Sequence, residues 1–113
     1  MKPGDVLLTS LPQGDGAQKA RPVLFLCRVP PYDDFLVCGI TTQIDNAVDS
    51  LDEIVTLSDP DFLSSGLKSA SLIRVAYLAV LPAARFKGRI GSVAEPRRKR
   101  LLTALATFLR NAI

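Results

Sequence analysis

The apolar residues of this chain come in short blocks, each ended by proline, glycine or a cluster of acids, until residue 95, where the spacing turns helical. Blocks of five to eight residues, rich in β-branched and large apolar side chains and bounded by turn signals, read as strands. Gly4 to Leu11, after a Pro-Gly turn, is the first. The continuous run Val23-Leu24-Phe25-Leu26-Cys27 predicts a central strand covered on both faces. Phe35 to Thr42 is the third, joined to the second by the turn Pro30-Pro31-Tyr32-Asp33-Asp34, so the two should pair antiparallel. Glu53 to Leu57 is a short fourth strand, Ser69 to Leu81 a fifth with a bend, and Arg85 to Ile90 a short sixth.

Between these blocks, Pro12 to Ala20 reads as a flexible loop and residues 43–52 as an exposed acidic one. A single helical turn follows, with Asp59 as its cap, Pro60 at its first position and Gly66 at its end. Glu95-Pro96 opens a terminal helix whose Leu101, Leu102, Leu105, Phe108, Leu109 and Ala112 form one apolar stripe. The expected fold is mainly β (α+β): a small, strongly curved barrel of five to six or more strands with the C-terminal helix packed on it. A single domain over residues 1–113 is expected from the length.

Hydrophobic residues make up 48% and charged residues 22%, the balance of a globular protein. The sequence has no histidine, which removes histidine acid–base pairs, Ser/His/Asp triads, Cys/His nucleophiles and ordinary zinc sites. Cys27 and Cys38 both fall in predicted strands and read as small core hydrophobes rather than a disulfide framework. No apolar run approaches the ~20 residues of a membrane span, so a soluble cytoplasmic protein with no membrane partner is expected.

Charge is unevenly placed. Residues 29–67 hold eight acidic side chains and no lysine or arginine, whereas residues 85–113 hold eight basic side chains against Glu95. A basic lobe of this kind suits either a polyanion or a solvated helix face, and charge by itself does not choose between them. Arg97, Arg98, Lys99 and Arg100 crowd the first turns of the terminal helix, against its dipole, which suggests that they serve a partner. Asp45, Asp49, Asp52 and Glu53 lack the spacing of a calcium loop and read as a solvated acidic segment. Gly14-Asp15-Gly16 is too short for a nucleotide loop, and no metal or other cofactor is expected.

Two polar elements interrupt the apolar strands. Arg21 opens the second strand and Thr41-Thr42 ends the third, each about ten residues from Pro31 in the turn between them. An antiparallel hairpin therefore brings a guanidinium and a hydroxyl to the same end of the sheet. A guanidinium is a permanent cation with a fork of donors that fits a phosphate, and a threonine hydroxyl can donate to a non-bridging phosphate oxygen. Together they suit attack by an RNA 2′-hydroxyl on its own phosphate, where the substrate supplies the nucleophile. A strand-edge charge beside β-forming threonines explains the same residues without function.

In order along the chain, Gly4-Asp5-Val6, Arg21-Pro22-Val23-Leu24, Ile40-Thr41-Thr42-Gln43 and Ser71-Leu72-Ile73-Arg74 resemble the motifs of the MazF/PemK-type toxin endoribonucleases of type II toxin–antitoxin systems. The resemblance covers nearly the whole chain. It implies an SH3-like barrel that forms a homodimer, binds a cognate antitoxin protein and cleaves single-stranded RNA without metal. The implied products carry 2′,3′-cyclic phosphate and 5′-hydroxyl ends. Arg21 matches the catalytic arginine and Thr41 the catalytic threonine, and Gln18, Lys19, Thr42, Gln43 and Arg74 are the expected RNA contacts. The first loop departs from the family pattern, with Gly14 to Lys19 in place of a Gly-Ser-Glu-Gln-like run, and Leu72 stands where many members carry a polar residue. An alternative on the same fold is a non-catalytic toxin of the gyrase-inhibitor type, which grips a protein with its C-terminal residues.

Overall fold

The most apolar stretch of the chain becomes the middle of a sheet. The computed structural model describes residues 1–12 and 18–113, and their side chains except at residues 10–12 and 18–19. Val23, Leu24, Phe25 and Leu26 are all fully buried in β2 (Gln18–Val29). On either side lie β1 (Asp5–Pro12) and β3 (Asp34–Thr41). With β4 (Glu53–Val55), β5 (Ser71–Leu81) and β6 (Arg89–Ser92), the described residues form one curled antiparallel sheet in the order β4-β5-β3-β2-β1-β6. The fold is mainly β, with the C-terminal helix α2 (Glu95–Asn111) packed on it.

The sheet does not pair its two edges. The short helix α1 (Phe62–Ser65), which follows β4, instead packs against β6. Two glycines allow the approach: a Cβ at Gly66 would overlap the carbonyl of Ile90, and one at Gly91 would overlap that of Ser65. Gly66 also takes the left-handed conformation, at φ 75°, that ends α1, as its position in the sequence indicates. The helix starts later than the sequence suggests. Asp61 stands at its N-cap, while the Asp59 carboxylate, three residues before the helix proper, accepts the Thr56 backbone N–H at 2.8 Å.

Other boundaries move as well. β1 and β2 stay paired out to Pro12 and Gln18, so the connection read as Pro12 to Ala20 shrinks, and residues 13–17 lie outside the described residues. The sixth strand is Arg89–Ser92, because Ala83–Arg85 forms a 3₁₀ turn that sends the chain across the sheet. Gly4 explains the opening motif. At φ 100° it lets its N–H donate to the Phe25 carbonyl (2.8 Å) while its own carbonyl accepts the Val93 N–H (2.9 Å), which ties β1, β2 and the chain after β6 together.

Strand alternation separates two apolar layers. Val6, Leu24, Leu26, Cys38, Ile40, Val55, Ile73 and Val75 pack with Leu101 and Leu105 of α2. Leu7, Val23, Phe25, Phe35, Val37 and Phe86 form the layer on the opposite face. Burial pushes the Cys38 thiol up to about 12, which keeps it an inert core group; Cys27 is half-buried. Only the N-terminal half of the helical stripe is covered, since Phe108, Leu109 and Ala112 remain exposed.

The basic helix is held mostly by the chain's own acids. Arg97 is buried and donates through Nε to Asp61 at 2.8 Å, through Nη1 to Glu53 at 2.9 Å and through Nη2 to Asp59 at 3.2 Å. Arg100 donates to both carboxylate oxygens of Glu53 at 3.0 Å. Arg98 pairs with Glu95 and donates to the Leu26 carbonyl at 3.0 Å. Leu26 is the bulged residue of β2, left out of the ladder between Phe25–Val37 and Cys27–Leu36. The suggestion that the cations at this helix start serve a partner is therefore corrected for Arg97, Arg98 and Arg100: they join α2 to β4, α1 and the β2 bulge.

Two consequences are measurable. Arg97→Met strands buried carboxylates and should cost about 3–5 kcal/mol in urea denaturation, whereas Arg100→Ala, at an exposed pair, should cost under about 1 kcal/mol. The hydrogen bond from Arg97 also holds the Asp61 carboxyl below the usual carboxylate range. Its stabilisation is therefore complete above the unfolded value of about 3.9 and is lost as pH falls through the lower folded value. In urea midpoints followed from pH 6 to pH 2, Asp61→Asn should start lower than the parent and decline less steeply below about pH 4.

Candidate active site on the open face of the sheet

Side-chain alternation assigns the polar residues to faces. Val23 and Phe25 of β2, and Phe35 and Val37 of β3, belong to the layer on the face away from α2. Arg21 and Thr41 fall on that face by the same two-residue period. The β2–β3 ladder pairs Phe25 with Val37 and Val23 with Gly39. Carried two residues past the last pair of that ladder, the same register would set Arg21 against Thr41.

This face is closed at one end and open at the other. Near the β2–β3 turn, the Phe25 and Phe35 rings stack at 3.8 Å between centroids, and Phe86, carried in by the segment after β5, stacks on Phe35 at 5.4 Å. The Arg28 guanidinium lies over the first two rings, at 5.4 and 5.3 Å. At the other end Arg21 is exposed, and its neighbour across β1 is the buried Thr9. There β1 and β2 run on past the last residue of β3 as a two-stranded ribbon to Pro12 and Gln18.

Thr41 is half-buried at the end of β3, and its Oγ1 accepts the Gln43 backbone N–H at 3.2 Å. That bond fixes the oxygen with a lone pair engaged, so the hydroxyl can donate its own proton outward. Thr42 and Gln43 are exposed just after it, and Gln43 leads into a 3₁₀ turn at Ile44–Asn46. Arg74 is exposed on β5 opposite Gly39, one step along the same face from Thr41 and its partner Leu72. Gln18 and Lys19 occupy the start of β2, opposite Pro12 and Leu11, and their side chains lie outside the described residues. The open end thus brings Arg21, Thr41 and Arg74 to one face, with Thr42 and Gln43 at its rim.

Two members of the acidic segment are engaged elsewhere. Glu53 is committed to Arg97 and Arg100, and Asp52 accepts the Val48 N–H at 3.1 Å. What the open end offers chemically is fixed positive charge, a directed hydroxyl and backbone at a sheet end. Such groups can bind a phosphodiester and stabilise charge that develops on it.

Residues 2–109 match the family described as PemK-like, MazF-like toxin of type II toxin-antitoxin system. Among solved structures, the Mycobacterium tuberculosis toxin MazF-mt6 is similar with a TM-score of 0.66 at 23% identity, over 91% of this chain and 93% of that one. A mycobacterial endoribonuclease in complex with its cognate antitoxin is similar with a TM-score of 0.68 at 19% identity, over 96% and 94% of the two chains. No curated protein matches the sequence.

Because Arg21 is exposed and Thr41 stands at a strand end, replacing them should leave the fold intact. Arg21→Ala and Thr41→Ala should each stay within about 1 kcal/mol of the parent in urea denaturation, so that any loss of activity reads chemistry rather than stability.

Proposed function

Since the chain belongs to the PemK-like, MazF-like toxin family of type II toxin–antitoxin systems, we propose that it is an endoribonuclease that cuts single-stranded RNA at the Arg21–Thr41 end of the sheet. The observation that supports this reading is the β2–β3 register at Val23–Gly39, which, carried two residues further, sets Arg21 against Thr41 on the face of the exposed Arg74. In the proposed reaction the ribose 2′-oxygen bonds to the adjacent phosphorus and the bond from phosphorus to the 5′-oxygen breaks. This leaves a 2′,3′-cyclic phosphate and a 5′-hydroxyl. The 2′-hydroxyl gives up a proton and the leaving 5′-oxygen takes one, an exchange we assign to water because the sequence has no histidine to mediate it. Arg21 neutralises the charge that grows on the non-bridging oxygens, and the Thr41 hydroxyl donates to one of them. The substrate supplies the nucleophile, so the step needs no metal ion.

Thr42, Gln43, Arg74, Gln18 and Lys19 are the proposed RNA contacts around that step. The proposal extends to a cytoplasmic homodimer held in check by a cognate antitoxin protein, and is supported for the antitoxin by the similar mycobacterial endoribonuclease, which is in complex with its own. No helix among the described residues is long and apolar enough to cross a membrane.

One feature favours the other reading, a toxin that grips a protein: Phe108, Leu109 and Ile113 leave the C-terminal end of α2 apolar and exposed. The two readings separate cleanly. The purified protein should cut single-stranded RNA in EDTA, and Arg21→Ala and Thr41→Ala should each slow cleavage about 100-fold or more. If RNA stays intact while removal of residues 110–113 abolishes toxicity, the protein-gripping reading stands instead.

A further inference from the structure

Tyr77 is the one large aromatic of the described sheet that stays out of both apolar layers. Phe25, Phe35 and Phe86 are buried within a layer, whereas Tyr77 is 49% exposed. An irregularity in β5 places it. Gly39 pairs with Arg74 and Cys38 with Leu78, so Val75, Ala76 and Tyr77 are extra residues between two adjacent rows. Val75 turns into the layer beneath α2. Tyr77 goes the other way and lays its ring on Gly39, where a Cβ would come within 2.5 Å of its Cδ2. The Arg74 guanidinium covers the ring at 5.1 Å from its centroid. A Cβ at Gly39 would project to the same side as Val37 and Thr41, so the stack stands on the face that carries Arg21 and Thr41. Along β3 it is two residues from Thr41, about 7 Å.

We propose that the Arg74–Tyr77 stack seated on Gly39 is a platform for a nucleobase of single-stranded RNA, holding the base of a nucleotide beside the scissile phosphate. This rests on the ribonuclease reading and adds to it a residue that sets where the RNA is cut. Bulges re-aim side chains, and here one delivers a half-exposed ring to the rim of the polar end of the sheet. Unpaired bases stack on aromatic rings and on guanidinium planes, and Arg74 offers its plane while its charge meets the backbone phosphate. Gly39 keeps the seat flat, since any larger residue would push the ring away from Arg74.

The test uses a single-stranded oligonucleotide carrying a 2′-deoxy residue at the cut site, which binds without being cleaved, alongside its all-ribose form. The chain has two tyrosines and no tryptophan, so in a Tyr32→Phe background the emission of Tyr77 reports on its ring directly. Stacking should quench that emission as the oligonucleotide binds. Tyr77→Ala and Gly39→Ala should each weaken binding about tenfold or more and blur the preferred cut position, while Tyr77→Phe should retain both. Parent-like affinity and cut position in Tyr77→Ala overturn the platform while leaving the ribonuclease reading in place. A parent that binds no RNA and cuts none overturns both. If Tyr77→Ala keeps its grip on RNA and loses only its grip on the antitoxin, the stack is a protein-docking surface and the proposal fails.

Discussion

One buried guanidinium decides which face of this sheet is closed. Arg97 reaches from the first turn of α2 to Asp61 at the start of α1 and to Glu53 on the edge strand β4. Breaking such a buried pair is costly because either partner left behind is a charge without water. The interaction therefore specifies where the helix sits more than it adds to stability. With α2 fixed over one layer, Leu101 and Leu105 complete that core, and the opposite layer must be closed by other means. Phe86 closes it only near the β2–β3 turn. In the remainder, from Gly39 to the ends of β2 and β3, Leu72 and Thr9 are buried while Arg21, Arg74 and Tyr77 are exposed, and the candidate site lies there.

How far the sequence discloses this depends on the range of each interaction. Strand-length apolar runs and the helical stripe arise from local periodicity, and they identify all six strands and α2 to within a few residues. The opposition of Arg21 and Thr41 follows from counting out from a tight turn, because an antiparallel register propagates residue by residue. The count would fail on the turn side of Leu26, where the bulge shifts the register by one, but it agrees with the ladder on the far side as far as Val23 and Gly39, two residues short of this pair. A bulge has no local sequence signature here, so the sequence does not disclose that shift.

Charge was the least legible feature. A block of acids and a block of bases far apart in sequence look like two surfaces, each in want of a partner. In the folded chain Glu53, Asp59 and Asp61 meet Arg97 and Arg100 across more than thirty residues, and much of the apparent basic lobe is neutralised internally. The same long-range pairing explains a helix start that opposes its own dipole: the carboxylates of β4 and α1 lie beside the first turns and supply the negative charge that the helix sequence lacks. The terminal stripe misled in the other direction. Its period is helical to the end, but Phe108 and Leu109 remain exposed.

The cations that remain available to a polyanion are thus selected by the fold rather than by abundance. Arg21 and Arg74 belong to no cluster of basic residues in the sequence, yet they share a face with a hydroxyl whose oxygen is fixed by a backbone amide. Two positive groups and one directed donor on a rigid sheet end provide what phosphoryl transfer asks of a protein when the substrate carries its own nucleophile: placement and charge stabilisation. Neither function needs a titrating side chain near neutral pH, so a histidine-free sequence is no obstacle to this chemistry. It also means that specificity must come from what surrounds the phosphate. On this face the aromatic ring exposed within reach is the one that the β5 irregularity turns outward beneath Arg74.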